Sequence, residues 1–173
     1  LHKHILLSNT YQQTSHDNPR YGVKDPDNLY YYKMDRRRLD FEGFRDGLLQ
    51  VSGQLDPLVG GRPVRLTGGD TNYRRTVYAL VDRRDLDEMF KTFDFANPNS
   101  TAGKRFNSTV SQQALFMMNS EFVAKRARNL ASSLMDSEVD ETRLVQRAYR
   151  ITLKRQGAEK ELHAGLRYVS NFR

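Results

Sequence analysis

Cysteine is absent from this chain of 173 residues, and its absence excludes several kinds of chemistry at once. Disulfide bonds, thiolate zinc sites, cysteine nucleophiles and Cys-x-x-Cys-His haem attachment all require a cysteine. Histidine is scarce, because the only imidazoles are those of His2, His4, His16 and His163. None of them lies in a His-Glu-x-x-His pattern, which typically binds zinc. We therefore predict that no metal ion and no cofactor is bound by this chain.

Long apolar runs are also lacking. No run approaches the roughly 20 residues that are needed to span a bilayer, so no membrane span is expected. Neither a Gly-rich phosphate loop nor a Gly-x-Ser-x-Gly nucleophile turn is present. A chain of this length can bury about 70% of the surface of its unfolded form around one core. We predict a single domain over residues 1–173, and the start at Leu1 leads us to expect a piece of a longer chain.

Charge is plentiful and predominantly positive. The chain has 28 Lys and Arg against 21 Asp and Glu, a net charge of +7, and a pI near 9.7. Such a balance permits attraction to nucleic acid or acidic glycans. The basic residues are scattered beside acids, however, and adjacent arginines occur only at Arg36 to Arg38, Arg74-Arg75 and Arg83-Arg84. We expect a solvated surface that faces a partner, and nucleic-acid binding is not expected.

Apolar residues recur every three or four positions over most of the chain, which predicts helices. The predicted helical segments are a helix end at 1–7, then 35–52, 86–93, 111–119, 120–135 and two helices in the C-terminal third. The last two should form a hairpin or part of a bundle, with Asp140 as an N-cap and Leu162, Leu166, Val169 and Phe172 on the inner side. In the helix over 120–135, we expect Arg126 to face solvent.

Two shorter features complete the predicted fold. Asp85 is the expected N-cap of the helix over 86–93, and Gly53 should end the first long helix. Residues 76–81 are rich in β-branched and aromatic residues and could form one strand. The predicted fold class is mainly α: an irregular helical bundle with long ordered loops and at most a short strand.

The stretch from Phe93 to Val123 combines a polar loop with the start of a helix. The side chains of its Asp and Asn residues typically bond nearby backbone, and Pro98 and Gly103 interrupt regular structure between them, so we predict a long ordered loop. Such loops are often functional. The candidate polar cluster of this region and the segment before it consists of Arg74, Arg75, Asp94, Asn97, Asn99, Arg105, Gln112, Gln113 and Asn119.

Two other groups are candidates for chemistry. Acids crowd the middle third of the chain, at Asp56, Asp70, Asp82, Asp85, Asp87, Glu88 and Asp94. Paired acids can hydrolyse glycosides, but acids also pair with neighbouring arginines and stabilise helix N-termini. Tyr30-Tyr31-Tyr32 near Arg36 to Arg38 mixes aromatic and cationic groups, as sugar and single-strand binding sites do. Three adjacent residues cannot share one face, so at least one tyrosine should be buried.

Three motifs follow one another along the chain: Arg36-Arg37-Arg38-Leu39, Ser52-Gly53-Gln54-Leu55-Asp56 and the stretch Phe93 to Val123. With them, the chain resembles the C-terminal domain of unknown function of large exported planctomycete proteins that also carry cytochrome-c-like domains. It departs from that pattern at Lys154 to Gly157, where a Gly-Arg-Pro-Pro turn is usual. It departs again at Val110-Ser111, where Thr-Pro or Val-Pro is usual.

The resemblance implies an exported protein, periplasmic or at the cell surface, of which this chain is the C-terminal part. No catalytic residue carries over. We expect a non-catalytic packing or binding module, whose candidate partners are neighbouring domains, among them a cytochrome-c-like domain, and polysaccharide. Any haem would belong to an associated domain. One alternative is a polysaccharide-acting enzyme domain with its site between Arg74 and Arg105, and a second is a nucleic-acid-binding module.

Overall fold

The computed structural model describes residues 1–66, 72–105, 108–137 and 140–171. Asp70 and Phe172, which the sequence analysis named, lie outside these ranges. The chain divides into two compact units, Leu1–Arg38 and Leu39–Arg173, here called unit 1 and unit 2.

Unit 1 contains two short helices, α1 (His2–Leu6) and α2 (Pro19–Gly22). The helix expected over residues 1–7 is thereby confirmed. Helix α2 begins with Pro19, whose missing N–H is not needed in the first turn, and the Asn18 side chain accepts from the backbone N–H of Arg20. The rest of unit 1 consists of turns and loops.

Unit 2 contains the remaining helices of the described ranges, and they confirm the predicted mainly α fold. They are α3 (Phe41–Val51), α4 (Glu88–Thr92), α5 (Ser111–Asn119), α6 (Glu121–Ser137), α7 (Glu141–Leu153) and α8 (Glu159–Asn171). Helix α6 contacts α3, α5 and α7, and α7 in turn packs against α8 as the expected hairpin.

Aspartate caps set the start of three of these helices. Asp40, Asp87 and Asp140 each accept a hydrogen bond from a backbone N–H in the first turn that follows. Asp140 was predicted correctly. The prediction of Asp85 as a cap was wrong, because α4 begins at Glu88 and the carboxylate of Asp85 lies 3.0 Å from Arg65 instead.

Residues 76–81 do not form a strand. Thr76–Tyr78 makes a single 3-10 turn. Across the described ranges, extended pairing is limited to two isolated parallel bridges, one between Asp56 and Arg74 and one between Val64 and Ala79. In its described parts, 56–66 and 72–80, this stretch is therefore irregular, and it needs other groups to satisfy its backbone polar atoms.

An aromatic cluster forms the core of unit 2. Phe41 of α3 meets Phe90 of α4 edge-on at 5.1 Å between ring centroids, and it stacks on Phe93 at 5.5 Å. Phe116 of α5 meets Phe93 at 5.2 Å in a T-shaped contact. Leu66 and Met89 complete the buried set. The core thus joins α3, α4 and α5 directly beneath the predicted polar loop.

The hairpin of α7 and α8 is closed by a tight turn. Lys154 adopts a left-handed conformation with φ +55°, which ends α7. Glu161 accepts two hydrogen bonds from Arg155, at 2.7 and 2.8 Å, and one from the N–H of Ala158 at 2.8 Å. The segment that departs from the resembled family's pattern therefore forms its own hydrogen-bonded turn.

Candidate functional site

Asp94 is the centre of the predicted polar cluster. Its backbone is left-handed, with φ +56°, a conformation that aspartate tolerates better than most residues. Its carboxylate accepts hydrogen bonds from the N–H and the hydroxyl of Ser108, both at 2.8 Å, and from the Gln113 side-chain amide at 3.3 Å. The same amide of Gln113 also donates to the carbonyl of Thr92 at 3.1 Å. Asp94 therefore ties the end of α4 to the start of α5.

Asn97 and Asn99 shape the middle of the loop. The side-chain oxygen of Asn97 accepts from the N–H of Asn99 at 2.9 Å, and its carbonyl accepts from the N–H of Ser100 at 3.2 Å. This arrangement is a local Asx-type turn. The side-chain amide of Asn99 donates to the carbonyl of Arg83 at 3.4 Å, a long bond that fastens the turn to the preceding segment.

Arg105 fastens the far side of the loop. Its Nη1 donates to both carboxylate oxygens of Glu42 on α3 at 2.8 Å, and its guanidinium lies 4.7 Å from the centre of the Phe95 ring. Hydrogen bonds of Asp94, Asn97, Asn99 and Arg105 thus hold the loop in place. The hydrogen bonds expected of an ordered loop are present within residues 93–105 and 108–110.

The loop encloses an open cleft of about 940 Å³. Its lining residues are Lys91, Asp94, Phe95, Ala96, Asn97, Ser100, Thr101, Ala102, Gly103, Lys104 and Arg105. Cationic groups outnumber the single carboxylate in this lining, and that carboxylate, Asp94, is bonded to Ser108 and Gln113.

Arg74 and Arg75 serve a different part of the molecule. Arg74 donates to the carbonyls of Arg62, at 3.0 Å, and Gly60, and its guanidinium lies 4.3 Å from the centre of the Tyr78 ring. Arg75 lies 3.6 Å from the carboxylate of Asp46 on α3. These two arginines contact residues 60–62, residue 78 and helix α3, whereas the residues from Asp94 to Arg105 organise the loop.

The two glutamines of α5 differ in exposure. Gln113 is 2% exposed, while Gln112 and Asn119 lie on the solvent side. Leu115 and Met118 share that outer side, and Met118 is 81% exposed. The structure thus brings Gln113 to Asp94 and leaves Gln112 and Asn119 beside exposed apolar side chains.

Two buried arginines were missed by the sequence analysis. Arg45 on α3 is 1% exposed and Arg126 on α6 is 3% exposed. The expectation that Arg126 faces solvent was wrong: its guanidinium lies 4.6 Å from the Phe122 ring centre and 5.1 Å from that of Tyr73. Its Nη1 also donates to the side chain of Gln54 at 2.6 Å. Two aromatic rings and one side-chain amide, from three segments of the chain, thus stabilise the buried positive charge of Arg126.

Arg45 holds the irregular segment against α3. It donates to the carbonyls of Asn72, at 2.7 Å, and Arg74, at 2.9 Å, and to the hydroxyl of Thr76 at 3.2 Å. Burial lowers the pKa of Arg45 below its ordinary value, and the charge of Arg126 lowers it further, while Asp46 opposes the shift. These bonds satisfy backbone carbonyls that a sheet would otherwise pair.

Carboxylates also meet in a second, smaller cleft of about 460 Å³ along α3. Asp40 caps α3 through the N–H of Gly43. Glu42 binds Arg105, and Asp46 accepts from the N–H and hydroxyl of Thr76 at 2.7 and 2.6 Å. Each of these acids thus has a structural partner. Within the described ranges, no group of three or more His, Cys, Asp or Glu residues is arranged to hold a metal ion.

In the parts of the chain that the structure describes, no helix is long and apolar enough to cross a membrane. A family model described as "Protein of unknown function (DUF1553)", PSD1, matches residues 1–169. Comparisons with curated proteins and with solved structures gave no significant match.

Proposed function

The chain belongs to the PSD1 family of proteins of unknown function, and we propose that it is a non-catalytic packing module. In this proposal, the outer face of α5 binds a neighbouring domain of the same parent protein. The proposal rests on the orientation of α5 about its own axis. This orientation buries Gln113 and leaves Leu115 and Met118 exposed to solvent.

Hydrogen bonds of Gln113 with Asp94 and Thr92 fix this orientation of α5. Gln113 is directed inward because its amide bonds both Asp94 and the carbonyl of Thr92. Leu115 and Met118 are three residues apart, so they lie on one helix face, and both are more than half exposed. A helix that is apolar on several sides is normally buried, and exposed apolar patches mark contact sites. Gln112 and Asn119 would supply polar contacts beside the apolar ones.

The carboxylates support a non-catalytic role. A glycoside hydrolase needs two acids that can reach the substrate and exchange protons with it. Asp94, Asp46 and Glu42 instead hold backbone and side-chain groups that define the loop and α3. These contacts favour packing over the alternative of a polysaccharide-acting site between Arg74 and Arg105, which stays a hypothesis.

The kind of longer protein to which the chain belongs in this proposal is inferred from the sequence resemblance. We infer an exported multidomain protein in which a cytochrome-c-like domain is a neighbour and any haem belongs to that neighbour. The exposed side chains of Ile5, Leu6 and Leu7 at α1 form another apolar patch that suits such a contact.

The proposal is tested by comparing thermal midpoints of this chain and of a natural form extended upstream. Each Leu or Met buried at the contact should contribute roughly 1.5–3 kcal/mol. Two such side chains contribute about 3–6 kcal/mol, and at about 2–4 °C per kcal/mol the extended form should melt at least about 6 °C higher. Replacing Leu115 and Met118 together by serine should lower the midpoint of the extended form and leave that of the shorter chain nearly unchanged.

Met135→Ser is the matched control, because Met135 is an exposed methionine of α6 outside the α5 face. It should leave both midpoints nearly unchanged. Equal midpoints for the two forms, or an equal effect of the α5 double variant on both, would contradict the proposal.

A further inference from the structure

Unit 1 contains a loop of unusual construction, formed by residues 28–33 and here called the tyrosine loop. Asp25, which is buried, accepts hydrogen bonds from the backbone N–H groups of Leu29 and Tyr30, both at 2.8 Å. The N–H of Asp25 in turn donates to the carbonyl of Tyr21 at 2.9 Å. Through its backbone N–H and its carboxylate, Asp25 therefore joins the end of α2 to the loop.

Asn28, which is also buried, closes the loop from the other side. Its side-chain amide donates to the carbonyl of Lys33 at 2.9 Å and to the carboxylate of Asp35 at 2.8 Å. Its side-chain oxygen accepts from the N–H of Lys33 at 3.3 Å. The backbone of Asn28 is left-handed, with φ +55°. Asparagine adopts that conformation more readily than other non-glycine residues.

The tip of the loop is strained and exposed. Tyr31 has φ +53°, a conformation that is uncommon for a bulky residue and costs about 1–3 kcal/mol. Tyr30 is 86% exposed, and Leu29 and Tyr31 also lie mainly in solvent. Two buried polar residues thus hold apolar side chains away from the protein interior. Strain of this kind persists where surrounding bonds enforce it, and it often marks a binding site.

Tyr32 shows that the exposure of its neighbours is selective. Its ring lies 6.2 Å from that of Tyr21, and Lys33 lies over it at 5.5 Å. It is half-buried, whereas the expectation was that at least one of the three tyrosines is fully buried. Tyr30 and Tyr31 are the ones presented to a ligand.

Charge around the loop is positive. Unit 1 has seven Lys and Arg against four Asp and no Glu. Three of the four aspartates are engaged within the unit: Asp25 with backbone amides, Asp17 with Lys33, and Asp35 with Asn28. Arg36 and Arg37, a few residues after the loop, are exposed. An anionic surface would therefore be attracted to this unit.

We propose that the tyrosine loop inserts Leu29, Tyr30 and Tyr31 into the interface of an anionic lipid surface, with the nearby Arg and Lys residues binding its headgroups. Tyrosine suits the boundary of a membrane because its ring is apolar and its hydroxyl remains hydrated. Each Lys or Arg near such a surface contributes to attraction. The proposal does not depend on the α5 contact, which lies in unit 2.

The size and composition of the tip favour lipid over other ligands. A stable protein–protein contact buries about 800 Å² on each partner, far more than three side chains at a loop tip supply. Stacking on sugars or nucleic-acid bases would use the tyrosines but not the aliphatic Leu29. A fluid surface accommodates all three side chains without requiring a matching shape.

The chain has no tryptophan, so Tyr30→Trp creates a single fluorescent reporter at the loop tip. The probe is a set of vesicles of phosphatidylcholine with one quarter phosphatidylglycerol. We expect the emission of the Tyr30→Trp protein to shift to the blue with these vesicles and to be quenched by brominated acyl chains. Vesicles of phosphatidylcholine alone should give a much weaker response.

Met135→Trp places the same reporter at an exposed residue of α6 and should show no shift. Adding Leu29→Ser to the Tyr30→Trp protein should weaken vesicle binding about tenfold, because Leu29 loses its apolar contact with the lipid. Both substitutions replace exposed side chains, so folding should be retained, which circular dichroism checks.

Several results would overturn the proposal. One is the absence of a shift, and another is an equal shift at Met135→Trp. A third is binding that 0.5 M salt abolishes without any shift, because it would indicate adsorption by charge alone. A response to polysaccharide or single-stranded DNA in place of vesicles would assign the loop to another ligand class.

Discussion

The two units of this chain are organised in opposite ways. Unit 2 has an interior of Phe41, Leu49, Phe90 and other apolar side chains. In unit 1, the residues classed as buried are polar: Asp25 and Asn28. Its leucines, and all its tyrosines except Tyr32, are exposed. The two units thus illustrate two different contributions to a fold. In unit 2, apolar burial supplies stability, and in unit 1, directional hydrogen bonds fix the shape of a loop.

The difference has an energetic meaning. Each fully buried large apolar side chain contributes roughly 1.5–3 kcal/mol, so unit 2 gains most from its core. A hydrogen bond to a charged group contributes about 1.5–3 kcal/mol, and the carboxylate of Asp25 makes two with backbone amides. Unit 1 should therefore keep a defined loop yet open more easily than unit 2.

The largest effect is expected from Phe90→Ala, which removes the ring at the centre of the core of unit 2. Phe90 is 1% exposed and contacts Phe41 and Phe95, so a cavity should remain. We expect the free energy of unfolding to fall by about 3–5 kcal/mol, measured by urea titration with circular dichroism. Leu153→Ala, at an exposed residue, is the control. A loss below about 1 kcal/mol would show that the core of unit 2 is not what stabilises it.

A smaller and local effect is expected from Asp25→Ala in unit 1. The change leaves the N–H groups of Leu29 and Tyr30 without their carboxylate, which should cost about 2–4 kcal/mol. Hydrogen exchange should then lose protection at those two amides while unit 2 keeps its own. Asp27→Ala, two residues away and exposed, should leave the exchange pattern unchanged. If Asp25→Ala also unfolded unit 2, the two units would not be independent.

The smallest effect concerns pH and the turn between α7 and α8. The hydrogen bond from Arg155, followed by that from the N–H of Ala158, lowers the pKa of Glu161 from its ordinary 4.5 to about 2. A depressed folded pKa means that this contribution is present above pH 4.5 and is lost as the pH falls through 2. Arg155→Gln should therefore reduce stability slightly at pH 6 and make no difference near pH 2. High salt should also shrink the pH 6 effect, because the pair is exposed. A larger effect at pH 2 than at pH 6 would contradict this assignment.

Much of the helical fold follows from the sequence. Apolar spacing located α5 and α6 within two residues, and the aspartate before α7 was recognised as its cap. Helix α3 begins at Phe41 rather than at residue 35, because Asp40 caps it. Asp87 caps α4 in place of Asp85, a difference of two residues among several acids. Periodicity finds a helix, but only the backbone path selects which acid caps it.

The candidate site was predicted less completely, and the reason is physical. Side chains that bond their own neighbourhood, such as Asn97, were recognisable from composition. The partnership of Arg105 with Glu42 joins residues far apart in sequence, and the surroundings of Arg126 are assembled from Gln54, Tyr73 and Phe122. A charged residue on a helix is normally expected in solvent. Nothing local in the sequence indicates that remote rings and an amide will enclose it.

Arg45 has a consequence for how this chain can vary. It holds the segment after residue 71 mainly through the carbonyl oxygens of Asn72 and Arg74, atoms that every amino acid possesses. Side chains at those two positions are therefore free to change as far as this contact is concerned, since any residue offers the same acceptor. A single-residue deletion between them would instead move one carbonyl out of reach. The contact with Arg45 therefore constrains the length of this segment more than its amino-acid sequence.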